Sequence, residues 1–174
     1  MEIEQGAKTQ EVTKIQDGIK IKTEWTVRRY ENDEEFKRDN PYDVSEIPGN
    51  LLLNEGITAL LTLLIGGGGT AFNNANAYIG VGDSSTAAAA SQTGLQAATN
   101  KAYKAMETSY PSVSAQTVTF RSVFGSSDGN FSWQEFTVAN GNSDSATNFN
   151  RKVSDQGTKA SGQTWTLDLA ITIS

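Results

Sequence analysis

The chain has 174 residues and a formal net charge of −6, with neither histidine nor cysteine. That length allows one domain with a sizeable core plus an appendage. The missing residue types exclude Ser-His-Asp and Cys-His catalysis, disulfides and thiolate chemistry, and the acidic balance argues against gripping nucleic-acid phosphates through clustered Lys and Arg.

Charge is unevenly spread. The first 50 residues carry 8 Lys/Arg and 12 Asp/Glu, against 6 and 8 in the remaining 124. A boundary near Pro48-Gly49 is therefore expected, with residues 1–49 as an extended charged arm and residues 50–174 as the body. No apolar leader opens the chain, and no run approaches the about 20 apolar residues of a membrane span. Neither a signal peptide nor a membrane protein is expected. Basic doublets at Arg28-Arg29 and Arg151-Lys152 sit among acids or within a strand and read as solvated faces.

In chain order, residues 1–16 are polar and aperiodic, a composition that stays unordered until a partner orders it. Ile19, Ile21, Trp25 and Val27 then share one parity while Lys20, Lys22, Glu24, Thr26 and Arg28 take the other, the period-2 pattern of a half-buried strand. Residues 31–40 are too charged for a core, Asn40-Pro41 marks a turn, and residues 44–47 suit a short strand. Asn54 is placed as the N-cap of a short helix. In that helix Ile57, Leu60, Leu61 and Leu64 fall at i, i+3, i+4 and i+7, the expected core face. The run from Gly66 to Gly69 ends it.

Beyond the helix, residues 77–81 read as a strand of small and apolar residues. Residues 86–100 read as a loop with one helical turn over the alanines. Strands are then expected over 102–108, 117–124, 131–138 and 149–154. The segment Gly125–Asn130 has hairpin-loop composition, and a bulge is expected near Gln134-Glu135. The last strand is the clearest: Trp165, Leu167, Leu169, Ile171 and Ile173 take one parity, and ten residues span about 33 Å. Many short strands with Gly, Asn and Ser turns predict a mainly β fold, a two-sheet β-sandwich of jelly-roll-like connectivity with one short helix and the N-terminal arm.

Chemistry has few places to reside. The body's acids Glu55, Asp83, Glu107, Asp128, Glu135, Asp144, Asp155 and Asp168 fall mostly in turns, at element starts or on polar strand faces, so no catalytic carboxylate pair is assigned. Asp83-Ser84-Ser85 and Asp128-Gly129-Asn130 miss the spacing of a calcium loop and read as turn formers. No Lys-Ser/Thr follows the glycine run, so it is not a phosphate loop. Trp133, Trp165, Phe120, Phe124, Phe131 and Phe136 read as core rather than as a sugar platform. No catalytic, cofactor-binding or metal-binding residue is predicted.

Three stretches carry a resemblance. Asn50–Gly56 reads N-L-x-x-N-E-G, Ile79–Ala87 reads IGVGDSSTA, and Thr93–Ala97 reads T-x-L-Q-A. Together, over roughly residue 50 to the C-terminus, they resemble bacteriophage virion structural proteins, in particular head decoration (cement) proteins. The IGVGDSSTA and TGLQA segments and the C-terminal TWTLDLAITIS are also similar to tail-associated proteins. The resemblance implies a structural protein of the virion, assembled in the host cytoplasm. It would bind the outer surface of the major capsid protein shell, with copies of itself as further partners, a trimer being expected, and with neither nucleic acid nor membrane. A tail, neck or baseplate component is the alternative, and a carbohydrate-binding module at the virion tip a more distant one. Within this reading the arm makes the attachment. Ile19, Ile21, Trp25, Val27, Arg28, Arg29 and Tyr30 are its expected partner-binding residues, because a lone strand must pair with a sheet edge on its own body or on a neighbour.

Overall fold

The alternation that begins at Ile21 carries the chain into the middle of a sheet rather than out along an arm. The computed structural model describes Gly18 and residues 20–174; the polar segment through Gln16, and Ile19, lie outside the described residues. Strand β1 (Ile21–Tyr30) is bonded on one side to β2 (Asp43–Pro48) and on the other to β10 (Thr164–Ile173). Next to β10 come β7 (Thr117–Phe124) and the edge strand β6 (Ser112–Ser114), giving the order β2-β1-β10-β7-β6. The second sheet runs β3-β9-β8-β4-β5, from β3 (Leu51–Leu52), β9 (Asn150–Val153), β8 (Glu135–Ala139), β4 (Tyr78–Gly82) and β5 (Lys101–Ala105). The described chain is thus mainly β, with two antiparallel sheets of five strands each and two helices.

The expected division at residue 49 does not follow the pairing. Trp25 lies opposite Leu169 on one neighbour and Ile47 on the other, and it is fully buried. One cluster joins both sheets: Trp25, Val27, Phe120, Leu167 and Leu169 come from the first, and Ile79, Val81, Phe136 and Val138 from the second. The Trp25 ring meets Phe136 at 5.7 Å between centroids. A strand with one apolar face finds its partner surface in its own chain here, which removes the need for a neighbour.

The charged stretch after β1 forms a short helix that the charge pattern did not suggest, α1 (Asp33–Lys37). The Asn32 side chain accepts from the Glu34 and Glu35 N–H groups, both at 3.0 Å. Asp33, Glu34 and Glu35 occupy the first turn and Lys37 the last, so the charges match the helix dipole.

Two other expectations change. Gly125–Asn130 does not close a hairpin: β7 lies in the first sheet and β8 in the second, so this loop crosses between layers. The slip in parity at Gln134-Glu135 is an irregular step against the 153–158 segment: Ser132 bridges to Thr158 and Glu135 pairs with Val153, so two residues stand opposite four. On its other side β8 begins pairing with β4 at the same residue, Glu135 opposite Gly82. Residues 86–100 are loop as expected, with a turn closed by Gln92 N–H donating to the Ala89 carbonyl rather than a helical turn.

Candidate interaction surface

The second helix, α2 (Asn54–Leu64), is held by backbone rather than by its apolar stripe. Leu53 occupies the N-cap position in extended conformation and makes no side-chain cap. The Asn54 N–H donates instead to the Ala90 carbonyl at 2.8 Å, so Asn54 does not cap as expected. Glu55 turns inward and accepts from the Asn148 N–H at 2.6 Å. Gly56 is buried against Phe149, where a Cβ would lie 2.3 Å from the Phe149 carbonyl oxygen. Each residue of the Asn-Glu-Gly motif thereby fixes the helix to the body. Past the last turn Gly66 takes φ +69°, a left-handed angle that ends the helix at low steric cost.

This attachment turns the leucines outward. Gly56 packs inward, Ala59 and Leu63 are half-buried, and Ile57, Leu60, Leu61 and Leu64 are exposed, with Leu64 at 79 % and the following Ile65 at 82 %. The expected core face of the helix is its solvent face. A large apolar residue left in water forgoes about 1.5–3 kcal/mol that burial would supply, and contiguous stripes of this kind mark interaction sites. Beside the stripe lies an apolar groove of about 230 Å³ lined by Leu60, Leu63, Phe72, Phe149, Ile171 and Ile173.

A second concavity, about 420 Å³, lies on the outer face of the first sheet among Arg28, Tyr30, Phe36, Tyr110, Arg121 and Thr166. Arg28 donates to Asp168 at 2.7 Å, and Arg121 donates to both oxygens of the same carboxylate at 2.7 and 2.5 Å. The hydrogen bond to Asp168 pushes the Arg121 pKa further up, against desolvation. Burial and then the hydrogen bond to Asp39 raise the Tyr30 phenol. The guanidiniums are engaged with a shared acid, so the cleft is tied together as structure rather than left open for an anion.

A second polar centre lies where the Gly82 end of β4, which carries IGVG, meets the loop that carries TGLQA. Glu135 and Arg151 are both fully buried. The Glu135 carboxylate accepts from the Gln96 and Ala97 N–H groups at 2.9 and 2.7 Å and from Arg151 Nε at 2.7 Å. Arg151 Nη2 is 2.6 Å from the same carboxylate but off line for a second hydrogen bond. Arg151 also donates to Gln92 at 3.0 Å. One buried ion pair thus pins the 92–97 segment over the second sheet. Elsewhere Lys159, buried among the Gly125 carbonyl and Asn130 at 2.7 Å each, has its ammonium pushed down to about 8 by desolvation.

The predicted partner-binding residues are drawn into the fold rather than displayed. Of those described, Trp25, Val27, Tyr30 and Arg29 are buried, Arg28 is tied to Asp168, and Ile21 is exposed, at 50 %; Ile19 lies outside the described residues. Arg29 stacks on Trp165 at 4.7 Å and donates to Asp43 and Ser45. Among the aromatics read as core rather than as a sugar platform, Phe120, Phe124, Trp133, Phe136 and Trp165 are core, as their parity indicated, and Phe131 packs against them. The apolar stripe of α2 was legible as a pattern, but its direction was not, since that depends on the contact between Gly56 and Phe149. Among the described residues no group of three or more acids lies together as a metal site, and no helix is long and apolar enough to cross a membrane.

No protein family, characterised protein or solved structure matches the chain.

Proposed function

We propose that this chain is a structural protein of a bacteriophage virion, a decoration or cement protein that binds the outer surface of the major capsid protein shell and stabilises the head. The reading includes self-association on the particle, in which a trimer is the expected order, and neither catalysis nor a cofactor. A sandwich with jelly-roll-like connectivity is part of the same proposal, and the adjacency of the first and last long strands, β1 and β10, is in keeping with it. The observation that carries the reading is the α2 stripe. An acidic β body that turns uncharged leucines and isoleucines to solvent from a rigidly fixed helix is built for protein–protein contact. The net charge of −6 would keep free subunits soluble and away from nucleic acid until assembly. The sequence resemblance to head decoration proteins supplies the kind of assembly.

The test is co-sedimentation of the purified full-length chain with phage shells lacking it, followed by imaging. Saturable binding spread over the outer shell is the expected result. Binding confined to tails or necks, or none, would overturn the head assignment.

A further inference from the structure

The occupant of the α2 stripe can be argued from its chemistry and extent. Along α2 the only charged residue is Glu55, and its carboxylate faces the body on the Asn148 N–H. The threonines beside the stripe present little free polarity, since the Thr58 and Thr62 hydroxyls donate back to the Asn54 and Thr58 carbonyls at 2.9 and 2.8 Å. For a chain of net charge −6, two copies repel over most of their surfaces, and this uncharged face is where they can approach most easily.

Size points the same way. Leu60 belongs both to the stripe and to the rim of the neighbouring groove. Exposed Ile173, 47 % free, lies on that rim, and Ile21, 50 % free, is its register partner on β1. Stripe and groove therefore form one continuous apolar patch. The exposed leucines and isoleucines of α2 and the Ile21–Ile173 pair all contribute apolar area toward the about 800 Å² per partner that a stable interface needs. The patch also carries both halves of a self-complementary contact. Leu64 and Ile65 project as knobs at the end of the helix, and the groove of about 230 Å³ has room for a leucine-sized side chain. A surface bearing knob and socket side by side lets each copy both give and receive, either in a two-fold pair or head-to-tail in a closed ring such as a trimer.

We infer that the α2 stripe and its adjoining groove are the contact between copies of this chain, with Leu61, Leu64 and Ile65 of one copy seated against α2 and the groove of another. The inference deepens the assembly reading, but its test needs no particle.

The experiment is sedimentation velocity on the full-length chain over a wide concentration range, compared with a Leu61→Glu/Leu64→Glu variant. Both residues are exposed in the subunit, at 55 % and 79 %, so the variant should keep its fold, which far-UV circular dichroism and thermal unfolding will check. The wild-type chain should sediment as an oligomer and the variant as an 18.7 kDa monomer. A rise of about 100-fold in dissociation constant is expected, the scale of losing hot-spot side chains. Because the chain has no cysteine, Leu61→Cys supplies an independent readout, and oxidation should link copies covalently through that position. A wild-type monomer at all concentrations, or an oligomer untouched by the double variant, would overturn the inference. Self-association through α2 without any shell binding would instead leave it standing and overturn the proposed function alone.

Discussion

Replacing Arg151 with methionine should destabilise the protein by about 3–5 kcal/mol, the range for leaving one partner of a buried ion pair uncompensated. The structure sets the upper end of that range in play. Glu135 and Arg151 are both fully buried, and the carboxylate would keep only the Gln96 and Ala97 N–H groups. Against a total stability of about 5–15 kcal/mol the loss is large. With a urea slope near 2 kcal/mol per molar it would move the unfolding midpoint down by about 2 M. Adding Glu135→Gln to Arg151→Met should recover part of the loss, because the neutral amide can still accept from one of the two N–H groups and no charge is left buried. Urea unfolding followed by tryptophan fluorescence measures both variants, and amide exchange at Gln96 and Ala97 reports whether the loop is released first. If Arg151→Met costs less than about 1 kcal/mol, or if the double variant is worse than the single by the full cost of a second buried defect, the pair is not what pins the loop.

Three further outcomes follow from packing and burial. Trp25→Ala should cost about 3–5 kcal/mol by thermal or urea unfolding, as for other large-to-small core changes, because Trp25 is fully buried against Phe136; an unchanged midpoint would mean that β1 is not part of the core. Gly56→Ala forces a Cβ to 2.3 Å from the Phe149 carbonyl oxygen, so it should loosen α2 and lower the melting temperature, whereas Leu64→Ala should shift stability by less than about 0.5 kcal/mol because the site is exposed. Lys159 binds its proton less tightly folded, at about 8, than at its ordinary 10.5, so between those values the unfolded chain holds more protons and stability should rise with pH; Lys159→Met should flatten that rise in pH-dependent unfolding, and an identical slope in both proteins would count against it.

Much of the fold was legible in local pattern. The parity of Ile21, Trp25 and Val27, and the long alternation from Trp165 to Ile173, gave strands that pair with each other in the structure. What local pattern could not supply was the partner. The charge drop after residue 50 suggested a separate arm, yet charges on the outer face of β1 are compatible with a central strand, as the Arg28–Asp168–Arg121 cluster demonstrates. The helix failed in the opposite sense: its 3.6-residue stripe was correct, but an amphipathic stripe does not state whether its partner is the same chain. That information lies in Gly56, whose lack of a side chain lets the other face of the helix dock. The candidate surface was thus visible as residues and misread in direction. The motifs that carried the resemblance turn out to have structural duties in this chain, since Glu55 holds Asn148 and the TGLQA backbone sits on Glu135.

The proposal that this chain coats a phage head can be checked by counting its copies. Quantitative mass spectrometry of purified virions gives the copy number of this chain relative to the major capsid protein. Hundreds of copies per particle, in fixed ratio to the shell protein, are expected. A dozen or fewer copies, or complete absence from the purified particle, would contradict it.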